Sequence, residues 1–397
     1  MGMFTDRVTQ DAPASVGMRP RVLMVAHVGE TLGHVVRGLV IADALASRGA
    51  EVHIAAAERA TTLIASNPYQ HHAVPWAWSH NDLRWPVLPR QLSEIVRTNR
   101  ALLDVMTAVD PDVVVSLPGV FTAQAAASLD LPHCSVAHGV YLSGLVSDRG
   151  MRPVAKAIIR AGRRYFERQG STIWHELASA LALPPLSYRA WLREAPLLVP
   201  DPFTPIPTRP NIARLSALRA GYGRKVTAEP GTCLVTFGSG NSCAIGPIAF
   251  TAAKYFPNVL VVGRHARSEL NHPRIHVAPT VDSRAVAPLV RAVISHGGLG
   301  TVGTFLGLPQ LLIATELDQA TTALHAEEVG AADAIGLTRW LDGPALGRQL
   351  CLDHVELDRA CARLAERTGV LTPTADISDA VNNAVLSVAR PALEVAA

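Results

Sequence analysis

Apolar runs of strand length alternate along this chain with stretches whose apolar residues recur every three or four positions. That alternation predicts parallel sheets covered by helices on both faces. It occurs in two separate series. In the first, Arg21 to Val28 (RVLMVAHV) predicts a strand, Gly29 to Gly33 a turn, and His34 to Arg48 a helix with Val35, Leu39, Ala42 and Leu45 on one face. Gly49 stops that helix. Glu51 to Ala57, Val113 to Leu117 and Cys134 to Ala137 predict further strands, with a helix near Val120 to Leu129. The stretch from Pro200 to Pro210 (PDPFTPIPTRP) carries five prolines, which fit neither a helix interior nor a central strand. The second series follows it, with strands at Cys233 to Phe237, Val259 to Val262, Ile275 to Val277, Ala292 to Ser295 and Leu311 to Ala314. Ile377 to Val388 predicts an amphipathic helix.

The expected fold class is α/β: two Rossmann-like parallel-sheet domains facing across a cleft, with binding loops at the carboxyl ends of the strands. The organisation expected is a flexible leader over 1–20, a first domain over 21–205, a linker over 206–230 and a second domain over 231–375. A final helix over 376–397 would pack back on the first domain.

Composition narrows this picture. The chain has 397 residues, 49% of them hydrophobic and only 17% charged. The mean hydropathy of +0.21 raises the question of a membrane protein. Every long apolar stretch, however, is broken by Arg, Asp, His or Gly before the roughly 18 residues a spanning helix needs. The first twenty residues contain Asp6, Arg7 and Asp11 and lack the apolar core of a secretory signal, so a cytoplasmic protein is expected. Five cysteines (Cys134, Cys233, Cys243, Cys351 and Cys361) lack any Cys-x-x-Cys pair and read as small core residues, not as a disulfide framework or zinc site. A net charge of +3 is too small and dispersed for a nucleic-acid partner.

The chemistry concentrates in Ala292 to Ala323 (AVISHGGLGTVGTFLGLPQLLIATELDQATTA). A strand ends at Ser295, Gly297, Gly298 and Gly300 follow, and a helix begins. Backbone amides at such a turn suit a phosphate or pyrophosphate, and His296 stands where the strand meets the glycines, able to donate to a phosphoryl oxygen. The same glycines spell Gly298-x-Gly300-x-x-Gly303, a dinucleotide fingerprint, with Glu316 or Asp318 further on. For NAD that fingerprint belongs after the first strand of its domain, and here it follows several. Close helix-to-strand packing is the plainer reading of the glycines. Thr236 to Asn241 (TFGSGN), with Gly238 and Ser239, can wrap a phosphate from the opposite side or form an ordinary turn. Asp318 and Gln319 pair a carboxylate with an amide, which suits vicinal sugar hydroxyls, although Asp318 alone reads as a helix cap.

This combination resembles the bacterial family 1 glycosyltransferases of the GT-B fold, especially those that decorate antibiotics and other natural products. The resemblance covers roughly residues 20 to 390. It rests on HGGLGT at His296 to Thr301, then Gly307, Pro309 and Asp318-Gln319, in the family's order and spacing. It implies that the second domain holds a UDP- or TDP-linked sugar as co-substrate, with no other cofactor and no metal. His296, Gly297, Gly298, Gly300 and Thr301 would hold the pyrophosphate, with Gly238 and Ser239 near the phosphates. Asp318 and Gln319 would bind the sugar, and Thr280 and Val281 would flank the base. In that family a Gly-His pair after the first strand supplies the general base; here it is Gly33-His34. The positive end of a helix favours the neutral imidazole that takes a proton near pH 7. His27 is the alternative base. The family's Asp that orients the histidine aligns with Leu117, beside Ser116, and its Asn after Asp-Gln is replaced by Thr322.

Asp110-Pro111-Asp112 has the Asp-x-Asp form of metal-dependent transferases, but it precedes its strand and reads as a turn. Val74 to Pro89 packs Trp76, Trp78 and Trp85 into one Pro-bounded loop, suited to a flat acceptor in the first domain or to wedging the loop on its own core. Arg149 to Arg168 carries seven cations and reads as a solvated helix face, a lid over an anionic acceptor or a peripheral membrane contact. The function expected is an inverting, metal-independent transfer of a sugar to a small-molecule hydroxyl in bacterial secondary metabolism, by a monomer or homodimer. The alternatives are a sugar-nucleotide epimerase of the same architecture, a nicotinamide oxidoreductase and a non-catalytic partner of a transferase.

Overall fold

The structure is a computed structural model that describes residues 19–26, 33–75, 89–117, 122–137, 153–185, 187–203, 209–215, 218, 228–237, 245–263, 270–314, 317–335, 354–372 and 376–395. Its first half runs β1 (Arg21–Ala26), α1 (Gly33–Ala46), β2 (Glu51–Ala57), α2 (Thr61–Ile64), β3 (Gln70–Val74), α3 (Pro89–Val109), β4 (Val113–Leu117), α4 (Thr122–Ser128), β5 (His133–Val136), α5 (Pro153–Leu181), α6 (Tyr188–Glu194), β6 (Leu197–Val199) and β7 (Ile212–Arg214). The second half runs β8 (Thr232–Thr236), α7 (Ile245–Tyr255), β9 (Val259–Val262), β10 (Ile275–Ala278), α8 (Ser283–Val286), β11 (Val290–Ser295), α9 (Leu299–Thr304), β12 (Gln310–Ile313), α10 (Leu317–Glu328), β13 (Asp333–Ile335), α11 (His354–Glu366) and α12 (Ser378–Val395).

Among the described residues the strands form two sheets, ordered β3-β2-β1-β4-β5-β6-β7 and β10-β9-β8-β11-β12-β13. The pairs are parallel in both sheets. Read from its own first strand, each sheet has the doubly wound order in which the chain reverses direction between strands one and four. That reversal opens a crevice at the carboxyl ends of those two strands. In the first sheet the crevice lies between β1 and β4, and in the second between β8 and β11.

The continuous apolar character of β1 follows from burial on both faces. Val22, Met24 and Ala26 pack with Leu39 and Leu45 of α1, whereas Leu23 and Val25 pack with Leu102 and Met106 of α3. Cys134, Cys233 and Cys361 are buried core thiols. In α12, Val381, Val385 and Ala389 are fully buried in the α1 side of the first sheet's core, so the chain returns from the second sheet to the first. The returning segment passes Gly307, which has φ +93° and faces the Val370 carbonyl, while the Thr372 amide donates to Leu306 O at 2.8 Å.

Four strands extend the sheets beyond the runs read from sequence. β3 (QHHAV) is an edge strand, and polar residues on an edge do not look like a core run. β6, β7 and β13 have three residues each. β7 joins the edge of the first sheet just past the Pro-rich stretch. Arg149 and Arg152 of the cationic segment lie outside the described residues, and the rest lies on α5, whose exposed Arg160, Arg164 and Arg168 recur at intervals of four and so form one stripe. Among the described residues no helix is long and apolar enough to cross a membrane.

Candidate functional site

The crevice of the second sheet is built at the ends of β8 and β11. β11 delivers Ser295, then His296, Gly297 and Gly298, and α9 begins at Leu299. Gly297 has φ +81°, a conformation that favours glycine, and a methyl group there would approach Gln319 O to 3.1 Å. Gly298 passes beneath the His296 imidazole so closely that a methyl group on it would run into Nε2. The imidazole also lies 6.3 Å from the Phe237 ring at the end of β8, so it bridges the two strands that border the crevice.

The amides here are unequal. The Gly297 amide donates to Ser295 Oγ at 3.3 Å, and Thr301 and Val302 donate to Gly298 O. The amides of Leu299 and Gly300 precede the first helical hydrogen bond and have no acceptor within α9. Because α9 has only six residues, its dipole adds little, and side chains must supply most of the charge that a diphosphate needs.

Five other sequence-derived residues fall at the carboxyl ends of the same sheet. Gln319 is buried in the first turns of α10, with its carbonyl against Gly297. Asp318 precedes it in α10, and its side chain lies outside the described set. Thr322, one turn on, is buried. Thr280 is exposed just beyond β10, and Val281 packs against the core cluster of Leu234, Leu260 and Ala278. β10 lies three strand positions from β11, about 14 Å along the rim at the usual inter-strand spacing. A ligand spanning His296 and Thr280 therefore lies along the strand ends.

Across from this rim stands the start of α1. Gly33 and His34 open the helix, and Arg37 lies on the same face three residues later. A methyl group on Gly300 would lie 3.9 Å from Arg37 Nε, so α1 reaches the glycine turn of the other half. Phe203, after β6, packs with Leu299 and Val302 of α9, and Thr304 Oγ1 donates to Leu218 O at 3.4 Å, which seat α9 against segments of the first half. Sequence reasoning missed Arg37. The His34-x-x-Arg37 spacing puts both residues on one helix face, but nothing in the sequence marks the approach to Gly300.

Leu117, the residue aligned with an orienting Asp, is 1% exposed, and its Cδ1 lies 3.6 Å from the position a methyl group would take on Gly38 of α1. The side of α1 nearest β4 is therefore apolar here. Ser116 points to the opposite face of the sheet, where its hydroxyl meets His133 Nε2 at 2.6 Å. Burial pushes the His133 imidazole down to about 4, so at neutral pH it is the uncharged partner of that hydroxyl. Asp110-Pro111-Asp112 sits at the opposite end of the sheet from Leu117. Asp112 Oδ2 accepts from the Arg21 backbone amide at 2.6 Å, and the Arg21 guanidinium donates to the carbonyls of Val109 and Asp110. This Asp-x-Asp closes a turn. Among the described residues no group of three or more His, Cys, Asp or Glu side chains is arranged to hold a metal ion. His27, Trp76, Trp78, Trp85, Gly238 and Ser239 lie outside the described residues.

Comparison with known proteins agrees with this architecture. Residues 33–207 match Glycosyltransferase Family 4. A PGL/p-HBAD biosynthesis glycosyltransferase of Mycobacterium tuberculosis is 23% identical over 407 residues, which cover 92% of this chain and 92% of that protein. The glycosyltransferase SsfS6 of Streptomyces sp. SF2575, solved with thymidine diphosphate, superimposes with a TM-score of 0.58 at 18% identity, covering 92% of this chain and 100% of its own. The glycosyltransferase VinC, solved with DTDP, gives a TM-score of 0.60 at 16% identity, with 95% and 98% covered. The fold is that of the GT-B glycosyltransferases. The matched stretch at 33–207 contains α1, whereas the glycine turn and Asp318-Gln319 lie beyond it.

Proposed function

We propose that this GT-B glycosyltransferase moves a sugar from a nucleoside diphosphate, TDP- or UDP-linked, to a hydroxyl of a small natural-product acceptor, inverting the anomeric centre without a metal ion. The observation that carries this reading is the approach of α1 to the glycine turn across the two crevices. A residue at the start of α1 and a diphosphate at Leu299 and Gly300 would then flank one reacting carbon. The thymidine diphosphate in SsfS6 supports the donor class.

In this reading the acceptor oxygen forms its bond to the anomeric carbon while His34 takes the hydroxyl proton. The bond from that carbon to the diphosphate oxygen breaks, and its electron pair leaves on the diphosphate. His296 and the amides of Leu299 and Gly300 stabilise that charge. Attack from the side opposite the leaving group inverts the centre. Asp318 and Gln319 orient the sugar, and Thr280 and Val281 flank the base. The engagement of Asp110 and Asp112 in a turn with Arg21 supports charge neutralisation by protein groups.

The test is turnover of TDP-glucose or UDP-glucose with a panel of phenolic and macrolide alcohols, with EDTA present. Release of the nucleoside diphosphate that depends on the acceptor, and an acceptor mass increased by one sugar, are the expected results. Conversion of the sugar nucleotide to an isomer in the absence of any acceptor would show an epimerase instead.

A further inference from the structure

We propose that Arg37 is a specificity-determining residue that the first half contributes to the donor's diphosphate, so that tight donor binding requires both halves of the molecule. The inference rests on the donor-site reading above and extends it to a side chain on the other side of the cleft.

Two observations carry it. First, the Arg37 guanidinium already lies at the glycine turn: its Nε is 3.9 Å from where a methyl group on Gly300 would be. Gly300 lacks that methyl group, which leaves the approach between guanidinium and backbone open. Second, among the described residues of the second half the turn has little positive charge of its own. The six-residue α9 has a small dipole, and the Gly297 amide is committed to Ser295 Oγ. Among the described residues, His296 is the side chain the second half places at this turn. A diphosphate there needs more, and an arginine is charged at any physiological pH and presents paired N–H groups that match two phosphate oxygens.

Arg37 shares its face of α1 with His34. Whatever brings the guanidinium onto the diphosphate therefore also brings His34 toward the sugar. Donor binding and placement of the base become one event, and the acceptor half responds to whether the nucleotide carries a diphosphate. Nucleoside alone makes no use of Arg37.

Calorimetric titration of wild type, Arg37→Lys and Arg37→Gln with TDP, UDP and the corresponding nucleosides tests this. The glutamine retains most of the side-chain stem, and thermal midpoints within about 2 °C of wild type would show the fold intact. The expected result is a 10- to 100-fold weaker diphosphate affinity in Arg37→Gln, a smaller loss in Arg37→Lys and unchanged nucleoside affinity in both. Equal affinity of wild type and Arg37→Gln for the diphosphate overturns the role of Arg37 and leaves the donor-site reading standing. Equal weakening for diphosphate and nucleoside assigns Arg37 a structural role and also overturns it. Wild-type protein that binds neither TDP nor UDP overturns the donor-site reading and this inference with it.

Discussion

His34→Ala is expected to lower sugar transfer by about 10³-fold, within the range that a positioned general base contributes, while TDP affinity stays within about twofold of wild type. The two effects separate because His34 would take the acceptor's proton and would not hold the diphosphate. His34 opens α1 in the first half, while the glycine turn and Gln319 belong to the second. In the same variant, azide or another strong anionic nucleophile, which has no proton to lose, should recover part of the lost rate. The wild-type product should carry the anomer opposite to the donor's, read from the coupling constant of the anomeric proton. Normal turnover in His34→Ala would remove this histidine as the base and return attention to His27.

Gly307→Ala is expected to lower the thermal midpoint by roughly 10 °C, following from about 3 kcal/mol and the usual few degrees per kcal/mol for a domain of this size. Two costs add. The residue has φ +93°, which costs a side chain roughly 1–2 kcal/mol. A methyl group there would also run into the Val370 carbonyl and the Thr372 amide, and overpacking of this kind costs about 1–3 kcal/mol. Gly49→Ala is the matched control, because Gly49 has φ +89° with nothing within 4 Å of a methyl group. It should show the first cost alone. Equal midpoints for the two variants would contradict the close packing of the returning segment against Gly307. The Gly307-x-Pro309 element, which in sequence belongs to a donor-site signature, thus has a structural task here: seating the segment that leads to α12.

The sheets were legible where strands are buried on both faces, because such strands are mostly apolar. β1, β2, β4, β8, β9 and β11 all read this way. What escaped were the edge strands β3, β7 and β13 and the three-residue β6 between β5 and β7. β3 carries two histidines and a glutamine, and its pairing with β2 is decided by backbone hydrogen bonds, to which hydrophobic pattern is blind. β7 is short and follows prolines, and its place comes from pairing with β6.

The glycine turn was legible for a different reason. Gly297 must adopt positive φ and Gly298 must pass under an imidazole, so few other residues can stand there. Arg37 was not legible as a neighbour of the glycine turn, because what brings it there is an approach to Gly300, more than 250 residues away in the chain. Neither the period of α1 nor its composition contains that distance. Likewise, Ser116 sits beside Leu117 in sequence but faces His133 across the sheet, a consequence of the two-residue period of a strand.

The central claim is that a nucleoside diphosphate is held at the glycine turn by His296 and its neighbouring amides. The measurement that tests it most directly is calorimetric titration of wild type and His296→Ala with TDP, UDP and NAD. Wild type is expected to bind one of the two nucleoside diphosphates at a single site and not to bind NAD. His296→Ala should bind that nucleotide at least tenfold more weakly, a loss of about 1.4 kcal/mol. Unchanged nucleotide affinity in His296→Ala, or binding of NAD in preference to both diphosphates, would contradict it.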